Sequence, residues 1–115
     1  MSHISHDDVG QDLRRIVISG RLDNPGTDAV AAKLVELTAA PKKGVVVDIS
    51  DIKFLASIGI RWLITSAKAV TARGGKMVMV VDPGSNVMLS LEAIGIDDLI
   101  PIFAKVADAE KAALA

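Results

Sequence analysis

Residues 44–60 read Gly-Val-Val-Val-Asp-Ile-Ser-Asp-Ile-Lys-Phe-Leu-Ala-Ser-Ile-Gly-Ile, and they predict the fold class of the domain. Its first part, residues 44–49, is short and almost continuously apolar, which is typical of a strand covered on both faces. A loop through residues 50–53 leads to a long helical segment that begins at Ser57 and ends near Arg73. A buried strand followed by a helix predicts an α/β domain with a largely parallel sheet.

The alternation continues on both sides of this stretch. Residues 13–19 are rich in β-branched residues and predict a strand, and a weaker extended piece around Ile4 is expected to pair with it across a turn at Gly10. After the breaker cluster at 24–26, Thr27 is expected to cap a helix over residues 28–40. The downstream predictions are a strand over residues 76–81, a helix over 86–93, an extended piece over 99–103 and a terminal helix through Leu114 that Asp108 caps.

The composition excludes several classes of protein. The chain has 115 residues, of which 50% are hydrophobic, enough for one domain with a sizeable core. Thirteen basic against 14 acidic residues give a net charge of −1, so no basic surface for nucleic acid is predicted. Cysteine is absent, which excludes disulfides and cysteine-based metal or catalytic sites. No apolar stretch reaches the ~20 residues of a bilayer span, and we expect a cytoplasmic protein without membrane insertion.

Motifs for catalysis and cofactor binding are missing. Neither the dinucleotide-binding glycine pattern nor a phosphate loop occurs. His3 and His6 could share a helix face and bind a metal, but solvated terminal residues are the favoured interpretation. Asp23, Asp48 and Asp82 each follow a predicted strand and could gather at one sheet edge around a divalent cation, although turn and capping roles are commoner for such residues. We therefore predict no cofactor, no metal and no enzymatic activity.

The helix that begins at Ser57 has three faces when its residues are placed ~100° apart. The continuous apolar face, expected to meet the core, consists of Ile60, Leu63, Ile64, Ala67 and Val70. The opposite face, expected to be exposed, consists of Ser57, Arg61, Thr65 and Lys68. A third strip carries Ile58, Trp62 and Ala69. Two interpretations of this strip stay open: it docks a partner, or Trp62 packs under a neighbouring helix or loop.

Ser57 also has two interpretations, which are compatible. As an N-cap, its hydroxyl accepts a hydrogen bond from a first-turn amide. As a phosphorylation site, it gains about −1.5 to −2 charges at the positive end of the helix dipole. Gly59, two residues later, lets another backbone come close.

Three motifs resemble the STAS domain of bacterial anti-sigma factor antagonists: Gly-Arg-Leu-Asp at 20–23, the block at 45–60, and Arg-Gly-Gly-Lys-Met-Val at 73–78. Their order and spacing match over roughly residues 13–114. The resemblance implies a (βα) superhelix with a mostly parallel, partly mixed sheet of four to five strands and about four helices. Residues 1–115 then form a single domain, in which residues 1–12 are an N-terminal extension or an edge strand.

The resemblance also implies a function. Members of that family are not enzymes; they bind an anti-sigma factor that is also a serine kinase of the ATP-binding histidine-kinase-like type, and so free the sigma factor. The kinase phosphorylates a residue at the start of the helix, which ends binding, and a serine phosphatase resets the switch. The family's Asp-Ser-Ser/Thr-Gly-Leu pattern corresponds here to residues 56–60, and Ser57 matches the phosphorylated position.

Two departures from the pattern are visible: Ala56 replaces the aspartate, and Ile58 replaces the second hydroxyl. Asp23 matches a family position near the switch, and a turn cap is its alternative role. The residues expected to bind a partner are Asp23, Ala56, Ile58, Gly59, Arg61 and Trp62.

Two other functions stay open. One is a constitutive STAS scaffold, such as a regulatory subunit of a signalling assembly or of a lipid-transport ATPase complex. The other is an enzyme or small-molecule binder that uses the three aspartates at the sheet edge.

Overall fold

The computed structural model describes residues 2–115. In this part of the chain, six strands and four α-helices alternate, with a short 3-10 helix at Ile96–Asp98. The strands are β1 (Ser2–Val9), β2 (Leu13–Leu22), β3 (Gly44–Asp48), β4 (Ile52–Leu55), β5 (Lys76–Val80) and β6 (Ile102–Phe103). The helices are α1 (Asn24–Thr38), α2 (Ser57–Ala72), α3 (Asn86–Ala93) and α4 (Val106–Leu114).

The strands form one mixed sheet in the order β1-β2-β3-β5-β6, with β4 paired to β2. Only the β1–β2 pairing is antiparallel among the pairings of the described residues. The long strand β2 pairs with β3 through residues 13–17 and then with β4 through residues 20–22. Because β2 and β4 are parallel, their carboxyl ends lie together, and α1 and α2 begin at this edge.

The core has two layers, one on each face of the sheet. Side chains of β3 alternate between them: Val45 and Val47 lie in the larger cluster, and Val46 lies in the smaller one. Helices α1, α2 and α3 contribute to the larger cluster, and α4 contributes Ala109 and Ala113 to the smaller one. Burial on both faces explains the uninterrupted apolar runs at residues 44–47 of β3 and 77–80 of β5.

Most of the predicted elements are confirmed. The hairpin that pairs Ile4 with Ile18 turns at Gly10, whose φ of 70° lies in the left-handed region. The strands predicted over residues 44–49 and 76–81 and the helices predicted over 57–73 and 86–93 are present, with ends displaced by one residue at most. The strand predicted over residues 13–19 extends to Leu22, because its second half pairs with β4.

Strand β4 was predicted as part of a loop, so the sheet has six strands rather than four to five. Only its end residues, Ile52 and Leu55, are buried, so it lacks both a continuous apolar run and a regular alternation. Its partner β2 fixes it in the sheet, and this pairing is tertiary rather than local. The extended piece predicted over residues 99–103 is likewise shorter, with a strand at 102–103 only.

Two predicted helix caps are wrong. Helix α1 begins at Asn24, and its cap is Asp23; Thr27 is buried inside the first turns. Pro25 lies in the first turn of α1, where its missing amide proton costs no hydrogen bond, so the supposed breaker cluster starts the helix. Helix α4 is capped at Lys105, and Asp108 lies in its first turn instead. None of the helices described is both long and apolar enough to span a membrane.

Candidate functional site

The starts of α1 and α2 lie side by side at the carboxyl edge of the sheet. Leu22 and Leu55, the last residues of β2 and β4, are paired. The amide of Ala56 donates a hydrogen bond to the carbonyl oxygen of Leu22 at 2.9 Å. Each helix begins directly after these strands, with Asp23 as the cap of α1 and Ala56 as the cap of α2. The sheet therefore brings the predicted residue Asp23 next to the predicted segment 56–62.

The side-chain carboxylate of Asp23 caps the start of α1. Asp23 Oδ1 accepts a hydrogen bond from the amide of Gly26 at 2.8 Å, and Asp23 Oδ2 lies 3.5 Å from Nε of Arg21. The Gly26 amide, with the Arg21 guanidinium as a further cause, holds the pKa of Asp23 below its ordinary value of 3.8. The guanidinium of Arg21 in turn stacks 4.7 Å above the centre of the Phe54 ring. Asp23 thus has the turn-capping role that the sequence left open.

The start of α2 has no such side-chain cap. Its cap residue Ala56 has an extended backbone and no side-chain acceptor, and no acidic residue lies in the first turn. The prediction that Ser57 is the N-cap is therefore wrong: Ser57 is the first residue of the helix proper. Its side chain is exposed, and its hydroxyl makes no hydrogen bond to another residue of the described chain. The first-turn amides of α2 therefore have no side-chain acceptor, and an exposed hydroxyl without a hydrogen-bond partner lies beside them.

Gly59 is buried where α2 approaches α1 and β2. A Cβ at this position would lie 2.8 Å from Cδ1 of Leu55, 3.2 Å from Cβ of Leu22 and 3.4 Å from Oγ1 of Thr27. The space that the missing side chain leaves is therefore filled by the domain's own residues. Gly59 sets how closely the two helix starts can lie.

The faces of α2 are close to the prediction. Leu63, Ala67 and Val70 are buried, and Ile60 and Ile64 are half-buried against the same core. The predicted exposed face is confirmed in full, since all four of its residues, Ser57, Arg61, Thr65 and Lys68, are exposed.

The third strip of α2 combines the two interpretations. Trp62 is half-buried and packs partly on the core, Ile58 is half-buried, and Ala69 is exposed. The sequence did not predict Ser66, which is buried with its hydroxyl unpaired. The strip therefore leaves part of Ile58 and Trp62 accessible one turn apart, next to Ser57.

The carboxylates predicted to gather at the sheet edge serve local turns instead. Asp48 accepts hydrogen bonds from the amide and hydroxyl of Ser50, and Asp82 accepts one from the amide of Gly84. Between residues 2 and 115, no three metal-ligating side chains gather into a possible cation site. His3 and His6 lie on strand β1, where a spacing of three puts them on opposite faces, so they share no helix face.

A cleft of about 290 Å³ adjoins this edge and was not predicted. It lies between β4 and the start of α3 and is lined by Lys53, Phe54, Leu55, Asn86, Val87 and Ser90. Phe54 is 42% exposed, and the Arg21 guanidinium stacks on its ring. The exposure of Phe54 could not be predicted from the sequence, because it depends on β4 being a strand.

The model of one family, described as the STAS domain, matches residues 8–109 of the chain. The chain belongs to the STAS domain family. Its resemblance to that family, based on three motifs, is thus confirmed, and so is the single α/β domain that it implied. No curated protein matches the chain.

Solved structures of this STAS fold include three informative relatives. An anti-sigma factor antagonist from Mycobacterium paratuberculosis is 19% identical, with a TM-score of 0.89, and the match covers 100% of this chain and 96% of that one. A STAS domain protein from Planctomyces limnophilus is 22% identical, with a TM-score of 0.72 and 97% of each chain covered. The Bacillus cell fate determinant SpoIIAA in its phosphorylated form is 13% identical, with a TM-score of 0.70 and coverages of 96% and 99%. At these identities the likeness shows the fold.

Proposed function

We propose that this STAS domain is an anti-sigma factor antagonist, a binding protein rather than an enzyme. Its partner is an anti-sigma factor with serine kinase activity, and phosphorylation of Ser57 ends the binding. The observation that carries the proposal is the exposed, uncommitted hydroxyl of Ser57 at the open start of α2, next to the accessible parts of Ile58 and Trp62.

The solved relatives support the same reading. One of them is described as an anti-sigma factor antagonist, and another was solved in a phosphorylated form. The Ser57 of this chain lies at the motif position that resembles the family's phosphorylated residue.

The surface around Ser57 suits a partner with an apolar contact. Ile58 and Trp62 supply apolar area one turn apart, Arg61 and Asp23 supply charges at its border, and Ala56 keeps the cap uncharged. Contacts of this kind, an aromatic anchor with a polar rim, concentrate binding energy in few residues.

Phosphorylation changes this surface chemically. The Oγ of Ser57 attacks the γ-phosphorus of ATP, a new O–P bond forms, the bond to ADP breaks, and the hydroxyl proton passes to a base of the kinase. The product carries about −1.5 to −2 charges at pH 7. Binding the same partner would then require this charge to lose its water at an apolar contact, which weakens the complex. A serine phosphatase restores the hydroxyl by hydrolysis.

The first experiment incubates the chain with soluble lysate of its host and ATP, followed by intact mass measurement and site mapping. We expect one phosphate on Ser57. Ser57→Ala should abolish it, whereas Thr65→Ala, which removes another exposed hydroxyl of the same helix face, should leave it in place.

Binding to the captured kinase completes the test. Ser57→Ala should bind like the parent chain, and Ser57→Asp should bind about tenfold more weakly or worse, a loss of about 1.4 kcal/mol. Equal binding of both variants to one identified partner contradicts the switch.

The constitutive scaffold remains the second candidate, because Ala56 and Ile58 depart from the family's phosphorylation pattern. Recovery of a stable complex with a transporter ATPase or a multimeric sensor, and no phosphate on Ser57, would favour it.

A further inference from the structure

Arg61 differs from the other arginines of the chain. Within the described residues, its guanidinium makes no hydrogen bond and no ion pair. The other four arginines are all engaged: Arg14 with Asp8, Arg15 with Asp7, Arg21 with Asp23, and Arg73 with the carbonyl oxygen of Ala40. Arg61 is exposed on α2, and no group among residues 2–115 holds its side chain in place.

The position of Arg61 relative to Ser57 is specific. The two residues are four apart on one helix face, and both are exposed. Side chains at this spacing have Cβ atoms about 5–6 Å apart, within reach of a direct ion pair. A guanidinium offers two parallel N–H donors that match two oxygens of a phosphate.

The other charged residues near Ser57 are less suited than Arg61 to bind a phosphate on that serine. The carboxylate at the neighbouring helix start, Asp23, is already bonded to the Gly26 amide and faced by Arg21. Lys53 lies before α2 on β4, and Lys68 lies about two further turns along α2. No acidic residue lies in the first turn of α2 to compete for Arg61.

We propose that Arg61 is the counter-ion of phosphorylated Ser57 and holds the phosphate against the start of α2. This inference rests on the proposed phosphorylation of Ser57 and adds what the phosphate does within the domain. The first-turn amides of α2 and the Arg61 guanidinium both favour the doubly charged phosphate. Phosphorylation therefore also withdraws Arg61 from the surface that faces the partner, so one reaction changes two charged groups of the interface.

The test needs neither the kinase nor the partner. Phosphoserine is incorporated at position 57 of the full chain during translation, and ³¹P NMR follows its second ionisation between about pH 4.5 and 8. Arg61→Gln removes the charge, Arg61→Lys keeps it, and Lys68→Gln removes a matched exposed charge from the same face. Circular dichroism of the unphosphorylated variants verifies that each one folds.

We expect the phosphate pKa to rise by about 0.2 to 0.4 of a pH unit in Arg61→Gln relative to the parent chain. Arg61→Lys should retain most of the parent's low value, and Lys68→Gln should leave it unchanged. The difference should shrink strongly in 1 M salt, where charges are screened beyond about 3 Å.

An unchanged phosphate pKa in Arg61→Gln overturns the proposal, and so does an equal rise in Lys68→Gln, which would indicate a general surface effect. Either result leaves phosphorylation of Ser57 intact as a separate claim. Conversely, a chain that is never phosphorylated in lysate refutes the switch without altering this titration, so the two failures are distinguishable.

Discussion

The two helices that begin at the carboxyl edge of the sheet differ in how their starts are completed. Helix α1 begins after Asp23, whose carboxylate bonds the Gly26 amide and faces the Arg21 guanidinium. Helix α2 begins after Ala56, whose side chain can accept nothing, with an exposed serine as its first residue. The two starts are joined by the hydrogen bond from the Ala56 amide to β2, so they share one environment.

This difference separates a structural helix start from one that is available for binding. The positive end of α1 is neutralised within the domain, whereas that of α2 is left for an external or added negative charge. A helix start without a side-chain cap typically costs about 1 kcal/mol of stability relative to a capped one. The open start of α2 is thus a place where stability is lower and where a phosphate finds donors.

The largest effect on stability should come from adding a methyl group at the capped start of α1. In Gly26→Ala, the new Cβ would lie 1.9 Å from the carbonyl oxygen of Arg21, which is backbone and cannot rotate away. We expect the free energy of unfolding, measured by urea denaturation, to fall by about 3 kcal/mol or more.

Gly59→Ala is the matched control at the uncapped start of α2. Its Cβ would lie 2.8 Å from Cδ1 of Leu55, the end of a side chain that can change rotamer, and 3.2 Å from Cβ of Leu22, which would have to shift by a few tenths of an ångström. The better helix propensity of alanine offsets part of the strain, so the loss should be about 1–2 kcal/mol, smaller than in Gly26→Ala. Equal losses in the two variants would contradict the distinction between backbone and side-chain obstruction.

A smaller effect should follow from removing the cap of α1. Asp23→Ala leaves the Gly26 amide without its acceptor, and we expect the melting temperature at pH 7 to fall by about 5 °C. Asp23→Asn keeps an acceptor oxygen and should lose less. A melting temperature unchanged in Asp23→Ala would show that the hydrogen bond contributes nothing to the stability of α1.

The same carboxylate makes this start sensitive to acid. Because the folded state lowers the pKa of Asp23, its contribution is fully present above the ordinary value of 3.8 and is lost as pH falls through the folded value. Asp8 behaves alike, since its hydrogen bond from Arg14 lowers its pKa to about 2. The parent chain should therefore lose stability below pH 4, and Asp23→Asn should lose less over that interval; an identical acid dependence of the two chains would refute this assignment.

The sequence predicted the regular parts of the fold because their hydrophobic patterns are local. The continuous apolar run of β3 and the four-residue exposed face of α2 both appear where expected. Strand β4 was not predicted because its pairing with β2 is tertiary. The start of α1 was predicted too late because a Pro-Gly pair indicates a turn unless a cap residue precedes it. Ser57 was identified in the sequence, but its place after the cap depends on one backbone conformation, the extended one of Ala56.

The smallest effect on stability should come from adding a side-chain cap to α2. Ala56 already has the extended backbone of an N-cap, with φ of −84° and ψ of 165°, so Ala56→Asp can accept an amide of the first turn without rearrangement. We expect the free energy of unfolding to rise by about 0.5–1 kcal/mol, measured by urea denaturation. Ala56→Asn is the matched control, because it supplies an acceptor without a charge and should stabilise to a similar extent.

The two Ala56 variants should diverge once phosphoserine occupies position 57. A carboxylate beside the phosphate repels its second negative charge, so Ala56→Asp should raise the phosphate pKa and lose its gain in stability, whereas Ala56→Asn should do neither. If both variants retain the gain after phosphorylation, the phosphate does not use the start of α2. If neither variant stabilises the unphosphorylated chain, the α2 start is satisfied by water alone, and its openness carries no cost in stability.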